Sequence, residues 1–208
     1  MKTIKLLALT GITVFSLSSC NNDDDTPELL AVESEQVSNL FAPQTGGQGT
    51  GMDVSGDFAK FDFSTGDTTT SDTDWDIAFR GTTIAVNGGV ATGTADEPAR
   101  NGNAAVYIAE NTFAGVSEVD TSLFEQDSAA GFAIPTGSDN GWYTYNFMAN
   151  LITPITGKVL VFRTRDDRYA KVEILSYYQN ADSSNPANSR YYTFNYVYQP
   201  NENVTTFE

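Results

Sequence analysis

The residues that could do chemistry in this chain are few, and their types exclude most catalytic and metal sites. Its 208 residues include no histidine, one cysteine and three methionines. Histidine is the commonest general base and the commonest metal ligand in proteins, so its absence excludes Ser-His-Asp catalysis and the usual zinc sites. The methionine thioethers remain as soft metal ligands. Apart from Met1, these belong to Met52 and Met148.

Acidic residues are abundant, and their arrangement also limits which kinds of enzyme the protein could be. The chain has 27 aspartates and glutamates against 11 lysines and arginines. An enzyme of this composition would need a pair of carboxyl groups, as in glycosidases. However, the aspartates stand mostly among Thr, Ser and Gly, and none has the apolar surroundings that would raise its pKa for acid catalysis. We therefore expect no enzyme activity.

The net charge of −16 also bears on the partners of the protein. Nucleic-acid binding depends on basic patches that neutralise phosphates, so we expect no nucleic-acid partner. Docking on an anionic lipid surface is disfavoured for the same reason.

The first 19 residues have the pattern of a removable signal peptide. Lys2 and Lys5 precede an apolar run that ends in Ser18-Ser19-Cys20, which is a charged region, an apolar region and a small-residue cleavage site. Residues 17–20 resemble the lipobox of bacterial lipoproteins, so we expect lipidation at Cys20 and an anchored protein. The alternative is an ordinary secretory signal with an incidental cysteine.

An acidic run, NNDDD, follows Cys20 directly. It resembles the surface-export signal of Bacteroidetes lipoproteins, and it also has the composition of a solvated tether. We therefore predict three parts: a signal peptide at 1–19, the lipidated cysteine with an acidic tether at 20–34, and one domain at 35–208. The expected location is the cell-surface side of the outer membrane, with the lipid as the only membrane contact.

The C-terminal third predicts an antiparallel β core. Residues 169–178 and 190–198 alternate in period two, which is typical of strands. The apolar run at 159–162 predicts a central strand covered on both faces, and residues 164–167 can form the hairpin loop that follows it. Only residues 116–127 favour a helix, with Ser117 as its cap. The predicted fold is a single all-β, antiparallel domain with at most one or two short helices.

Several of these segments resemble one family. DWDIAFR at residues 74–80, the Gly141-Trp142 pair, KVLVFR at 158–163 and TFNYVY at 193–198 resemble the HmuY-type haem-binding lipoproteins. The resemblance implies an all-β fold in which two finger-like extensions hold haem between a pair of axial His or Met side chains. It also implies delivery of the haem to a TonB-dependent outer-membrane receptor. The expected cargo is haem or a related porphyrin.

The same resemblance indicates the site residues. Met148 lies near the position of one axial ligand and is the expected metal ligand. The segment that usually supplies the second ligand contains Tyr107, and the aromatic wall would consist of Trp142, Tyr143 and Tyr145. Met52 has no counterpart in the family pattern. For Asp76 we expect a cap or an ion pair with Arg80, and for Arg165 and Arg168 ion pairs with the neighbouring Asp166 and Asp167.

Another class of function remains open on the sequence alone. A surface module that binds glycans, or a purely adhesive lipoprotein, would also be rich in β-strands and aromatic residues. Its stacking platforms would be Trp142, Tyr143, Tyr191 and Tyr192. Exposed coplanar aromatic rings would favour this reading, whereas Met148 beside a pocket would favour haem.

Overall fold

The computed structural model describes residues 28–47 and 49–208, and within these residues the fold is almost entirely β. The helical turns found there are short 3-10 turns at Thr121–Leu123, Gln179–Ala181 and Pro186–Asn188. No helix among the described residues is long and apolar enough to cross a membrane. The all-β prediction is confirmed. The signal peptide, Cys20 and most of the tether lie outside the described residues.

A five-stranded antiparallel sheet forms one layer. Its strands are β1 (Glu33–Phe41), β8 (Ala105–Glu110), β11 (Lys158–Arg163), β12 (Tyr169–Tyr178) and β13 (Ser189–Gln199). They are arranged in the order β1-β13-β12-β11-β8, so the predicted central strand is interior. The predicted hairpin loop joins β11 to β12, with Thr164 donating its backbone N–H to the Arg168 carbonyl at 2.8 Å. Strand β1 begins two residues inside the segment assigned to the tether.

The second layer is a four-stranded antiparallel sheet from the first half of the chain. It consists of β4 (Ala59–Asp62), β5 (Asp67–Thr69), β6 (Ile77–Arg80) and β7 (Thr83–Val86), in the order β5-β4-β6-β7. These strands are short, and β6 is buried along its whole length.

The main core lies between the two sheets and is built largely of aromatic rings. The ring centroids of Phe61 and Phe194 are 5.5 Å apart, and those of Phe79 and Tyr192 are 4.8 Å apart. Phe63 from the smaller sheet packs on Phe162 of β11 at 5.5 Å. Burial of each such side chain stabilises the fold by about 1.5–3 kcal/mol, so this interface holds the sandwich together.

The outer face of the five-stranded sheet is covered by irregular chain, and the helix prediction for residues 116–127 is wrong. The segment contains only the 3-10 turn at Thr121–Leu123, capped by Asp120 and not by Ser117. Its backbone bonds to the C-terminal segment: Phe207 N–H donates to the Ser117 carbonyl at 3.0 Å, and Val119 N–H donates to the Thr205 carbonyl at 2.9 Å. These long-range bonds take the groups that a helix would need.

Two hairpins make no ladder with either sheet. One is β2 (Thr45–Gly47) with β3 (Met52–Ser55), and the other is β9 (Tyr143–Asn146) with β10 (Leu151–Pro154). The first includes the glycine-rich stretch at residues 45–51. It pairs because its glycines adopt positive φ angles, +68° at Gly46 and +97° at Gly47, which other residues rarely adopt.

Candidate functional site

The β9–β10 hairpin carries Met148 at its tip. Asn146 accepts the Ala149 N–H at 3.1 Å, and the Tyr145 hydroxyl donates to Asn150 at 2.9 Å. These side-chain bonds fix the turn, which is how Asn residues commonly act in loops. The tip leaves Phe147 80% and Met148 92% exposed, so the thioether is fully available to a ligand.

The β2–β3 hairpin carries Met52, which is 64% exposed. Gly46 is required in this hairpin, because a Cβ atom there would lie 1.9 Å from the Asp53 carbonyl oxygen. The Thr50 hydroxyl donates to the Gly47 carbonyl at 2.7 Å and accepts the Met52 N–H at 3.2 Å. The turn therefore holds the backbone of Met52 in a defined position.

A cleft of about 330 Å³ lies between the two hairpins, within the size range of small-molecule sites. One wall belongs to the β2–β3 hairpin and the other to the β9–β10 hairpin, while Tyr177, Tyr178 and Arg190 of the five-stranded sheet contribute side chains between them. The lining residues are Gln44, Gly46, Thr50, Thr82, Tyr145, Asn150, Ile152, Tyr177, Tyr178, Pro186, Ser189 and Arg190. Met52 and Met148 are each two residues from a lining residue, Thr50 and Asn150 respectively.

Tyr145 is the one member of the expected aromatic wall that lines this cleft, whereas Trp142 and Tyr143 lie beneath it. Trp142 is 2% exposed and its indole N–H donates to the Thr82 carbonyl at 3.0 Å. Tyr143 is 7% exposed and packs on Trp142 with a centroid distance of 4.9 Å. These two rings fasten the β9–β10 hairpin to the core.

Three of the four residues expected as glycan platforms have no face left for a sugar ring, because Trp142, Tyr143 and Tyr192 are buried in the core. Tyr191 is half-buried and packs against Phe41 at 4.8 Å with the two rings tilted by 31°.

Tyr107 lies on the opposite face of the five-stranded sheet and is not part of the cleft. It packs with Val159 and Val161 under the irregular cover, whereas Trp142 belongs to the core between the sheets. Its hydroxyl accepts the Asp120 N–H at 3.1 Å, and burial raises its pKa. A phenol that is harder to deprotonate is also a weaker iron ligand. The structure thus separates Tyr107 from Met148 by placing the two on different faces of the sheet.

A larger groove of about 720 Å³ is lined by residues of β4 and β5 and by residues 96–98. Three of its four acidic residues are engaged: Asp72 pairs with Lys60 at 3.1 Å, Asp96 accepts the Gly56 N–H at 2.7 Å, and Glu97 accepts bonds from Thr92 and Thr94. Burial by itself would raise the pKa of Glu97, but hydrogen bonds from Thr92 and Thr94 outweigh it and lower the pKa to about 2. A carboxyl group with that pKa does not serve as a general acid at neutral pH. Among the described residues, no group of three or more acidic or cysteine side chains could hold a metal ion.

The DWDIAFR motif positions the two sheets. Trp75 and Ile77 are buried, as expected. The Asp76 carboxylate accepts the backbone N–H groups of Phe63 and Arg165 at 2.9 and 2.8 Å. Asp76 therefore connects the smaller sheet to the β11–β12 hairpin.

The ion pairs predicted from neighbouring residues are wrong. Arg165 binds Asp62 through two bonds of 2.9 and 3.2 Å and lies 3.4 Å from Asp76. Arg168 pairs with Glu202 at 3.5 Å. Arg80 donates to the carbonyls of Gly56 and Ala95 and packs over the Phe58 ring.

Burial raises the pKa of Asp76 to about 6, although the hydrogen bonds and charge of Arg165 oppose this shift. For Asp62, burial also acts to raise the pKa, but hydrogen bonds from Arg165 and Ser64 prevail and lower it. The DWDIAFR motif is therefore a buried structural element and forms no part of the cleft.

Among the solved structures that match this chain, three are 15–18% identical to it. A candidate lipoprotein of Bacteroides fragilis NCTC 9343 is 18% identical, with 82% of this chain and 90% of that chain covered and a TM-score of 0.46. An apo HmuY analogue of Tannerella forsythia is 15% identical, with 86% and 100% covered and a TM-score of 0.47. A protein of Bacteroides vulgatus ATCC 8482 described as HmuY-like and haem-binding is 16% identical, with 82% and 93% covered and a TM-score of 0.43. No curated protein matches the chain.

The family assignment rests on a family model and not on these structures. The model described as "HmuY protein" matches residues 55–196, which include the whole β9–β10 hairpin and both sheets except β1 and the last three residues of β13. Met52 and β2 lie outside the matched residues. Since the match spans more than half of the chain, this protein belongs to the HmuY family.

Proposed function

We propose that this protein binds haem, or a related porphyrin, in the cleft between the β2–β3 and β9–β10 hairpins. The observation that carries the proposal is the placement of Met52 and Met148 on the two hairpins that flank this cleft. The two hairpins correspond to the finger-like extensions that the family resemblance implies. Membership of the HmuY family supports the same ligand.

The two thioethers are the axial ligands in this proposal, one from each hairpin. Haem iron accepts methionine sulfur, and a soft ligand pair favours ferrous iron. Exposed apolar side chains at the tip also support a flat apolar ligand, because Phe147 and Met148 are open to water without one. Tyr145 lines the cleft beside them. The protein would hold haem as cargo and would perform no reaction on it.

The place and purpose of binding are also proposals. Lipidation at Cys20, followed by the acidic run, supports an outer-membrane lipoprotein exposed at the cell surface. Such a protein would pass haem to a TonB-dependent receptor for iron acquisition. Labelled palmitate incorporated into the wild type but not into Cys20→Ser, and cleavage by protease added to intact cells, would test this location.

A haem titration followed by absorption spectroscopy, with and without dithionite, tests the binding site. We expect a saturable, shifted Soret band that sharpens on reduction. Met148→Ala and Met52→Ala should each convert the six-coordinate spectrum to a five-coordinate one, and the double variant should lose it. Tyr107→Phe is the matched control and should bind as the wild type does. A spectrum of free haem in both iron states would exclude the proposal and favour an adhesive function without haem.

A further inference from the structure

Arg190 has no carboxylate partner among the described residues. Six of the nine lysine and arginine side chains in that part of the chain lie within 4 Å of a carboxylate. The remaining three include Arg80 and Lys171, which are buried and donate to backbone carbonyls. Arg190 instead is half-buried and lines the cleft between the hairpins.

Neutral groups hold the Arg190 side chain in place. Its Nη1 donates to the backbone carbonyl of Gln44, and its positive charge acts on the Tyr177 hydroxyl. Burial raises the pKa of Tyr177, although the Arg190 charge opposes this shift, so the phenol stays neutral. A guanidinium has five N–H donors, so the bond to Gln44 leaves four donors and the positive charge for a ligand in the cleft that Arg190 lines.

The backbone of Arg190 is in a conformation that arginine rarely adopts. Its φ angle is +73°, in the left-handed region that is uncommon for residues other than glycine, asparagine and aspartate. Such conformations are concentrated at ligand-binding positions. A glycine would fit this backbone without strain. The presence of an arginine here therefore indicates a role for its side chain.

We infer that Arg190 binds a propionate carboxylate of the porphyrin and thereby fixes how the ring enters the cleft. The inference rests on the proposed function and adds a residue that selects porphyrins with free propionates over esterified ones. A chain with a net charge of −16 repels an anionic ligand at long range. A local guanidinium offsets this repulsion, and it can bind a carboxylate through two parallel hydrogen bonds.

The test compares haem with haem dimethyl ester, in which both propionates are neutral, in the same fraction of dimethyl sulfoxide. The wild type should bind haem about tenfold more tightly than Arg190→Gln does, from the usual strength of a hydrogen bond between charged groups. Both proteins should bind the ester equally. Arg190→Gly should behave as Arg190→Gln toward both ligands while its melting temperature does not fall, since it relieves the positive φ. Arg168→Gln, which alters a cation outside the cleft, is the control and should match the wild type.

The outcomes separate this inference from the proposed function. Equal haem affinity in the wild type and Arg190→Gln overturns the role of Arg190 and leaves haem binding intact. A similar loss of affinity for haem and for the ester in Arg190→Gln overturns it too, because the effect would then not involve the propionates. Failure of the wild type to bind either ligand overturns both proposals.

Discussion

Removal of the Arg165 side chain should destabilise the fold strongly, and more so at high pH. In Arg165→Met, the buried Asp62 and Asp76 lose their shared cation, which lies 2.9 Å from one and 3.4 Å from the other. Loss of one partner of a buried ion pair typically costs about 3–5 kcal/mol. Because the Arg165 side chain is 18% exposed, water screens part of the effect, and we expect a loss of about 3 kcal/mol at pH 8.

The pH dependence follows from the carboxyl groups that remain. Without the Arg165 guanidinium, burial is opposed only by the hydrogen bonds from Ser64 to Asp62 and from two backbone N–H groups to Asp76, so the folded-state pKa values of both aspartates rise. A group whose pKa is raised on folding stabilises the protein below its unfolded pKa, and that stability is lost as pH rises through the folded pKa. In the wild type, burial already raises the pKa of Asp76 from its ordinary 3.8 to about 6 in the folded state. The variant should therefore lose less stability at pH 5, where Asp76 is mostly protonated, than at pH 8.

Urea unfolding followed by tryptophan fluorescence measures this effect, since Trp75 and Trp142 are both buried. Lys158→Met is the matched control. It removes a cation whose partner, Glu110, has a side chain 79% exposed, and such a surface pair contributes little to stability. The reasoning is refuted if Arg165→Met costs no more than Lys158→Met, or if its cost is the same at pH 5 and pH 8.

Three further substitutions test the packing of the fold. Gly89→Ala should destabilise the fold by about 3 kcal/mol, because its Cβ would lie 2.0 Å from the Asp127 carbonyl oxygen at a φ of +76°. Gly93 has a similar φ of +92° but an open environment. Gly93→Ala should therefore cost only about 1 kcal/mol. Trp142→Phe loses the indole bond to the Thr82 carbonyl and leaves a cavity beneath the β9–β10 hairpin, so urea unfolding should show a loss of about 2–4 kcal/mol. Equal costs for the two glycine variants, or a loss below about 1 kcal/mol for Trp142→Phe, would contradict these assignments.

The sheets were predictable because strand patterns are local. Alternation at 169–178 matches β12 in full, since residues that face the core recur at every second position. The irregular structure of residues 116–127 was not predictable in the same way. Its apolar spacing fits a helix, but Ser117 and Val119 bond to residues near the C-terminus, and no local window contains those partners.

The site depends even more on contacts between distant residues. Met148 was identified through the family resemblance, but Met52 belongs to a glycine-rich stretch that reads as a loop and lies outside the matched residues. Only the folded chain brings its hairpin beside the cleft. Arg165 shows the same limit: the sequence places Asp166 next to it, whereas the fold places Asp62, 103 residues away, within 2.9 Å.

Because neither hairpin pairs with a strand of the two sheets, the proposed haem site can change without the scaffold. Each hairpin pairs only with itself, so a residue inserted or deleted in either turn would shift no strand of the sandwich out of register. The scaffold and the two hairpins can therefore diverge at different rates. Exchange of residues 45–55 for a hairpin of other length and sequence would be a route to a new ligand on an unchanged core.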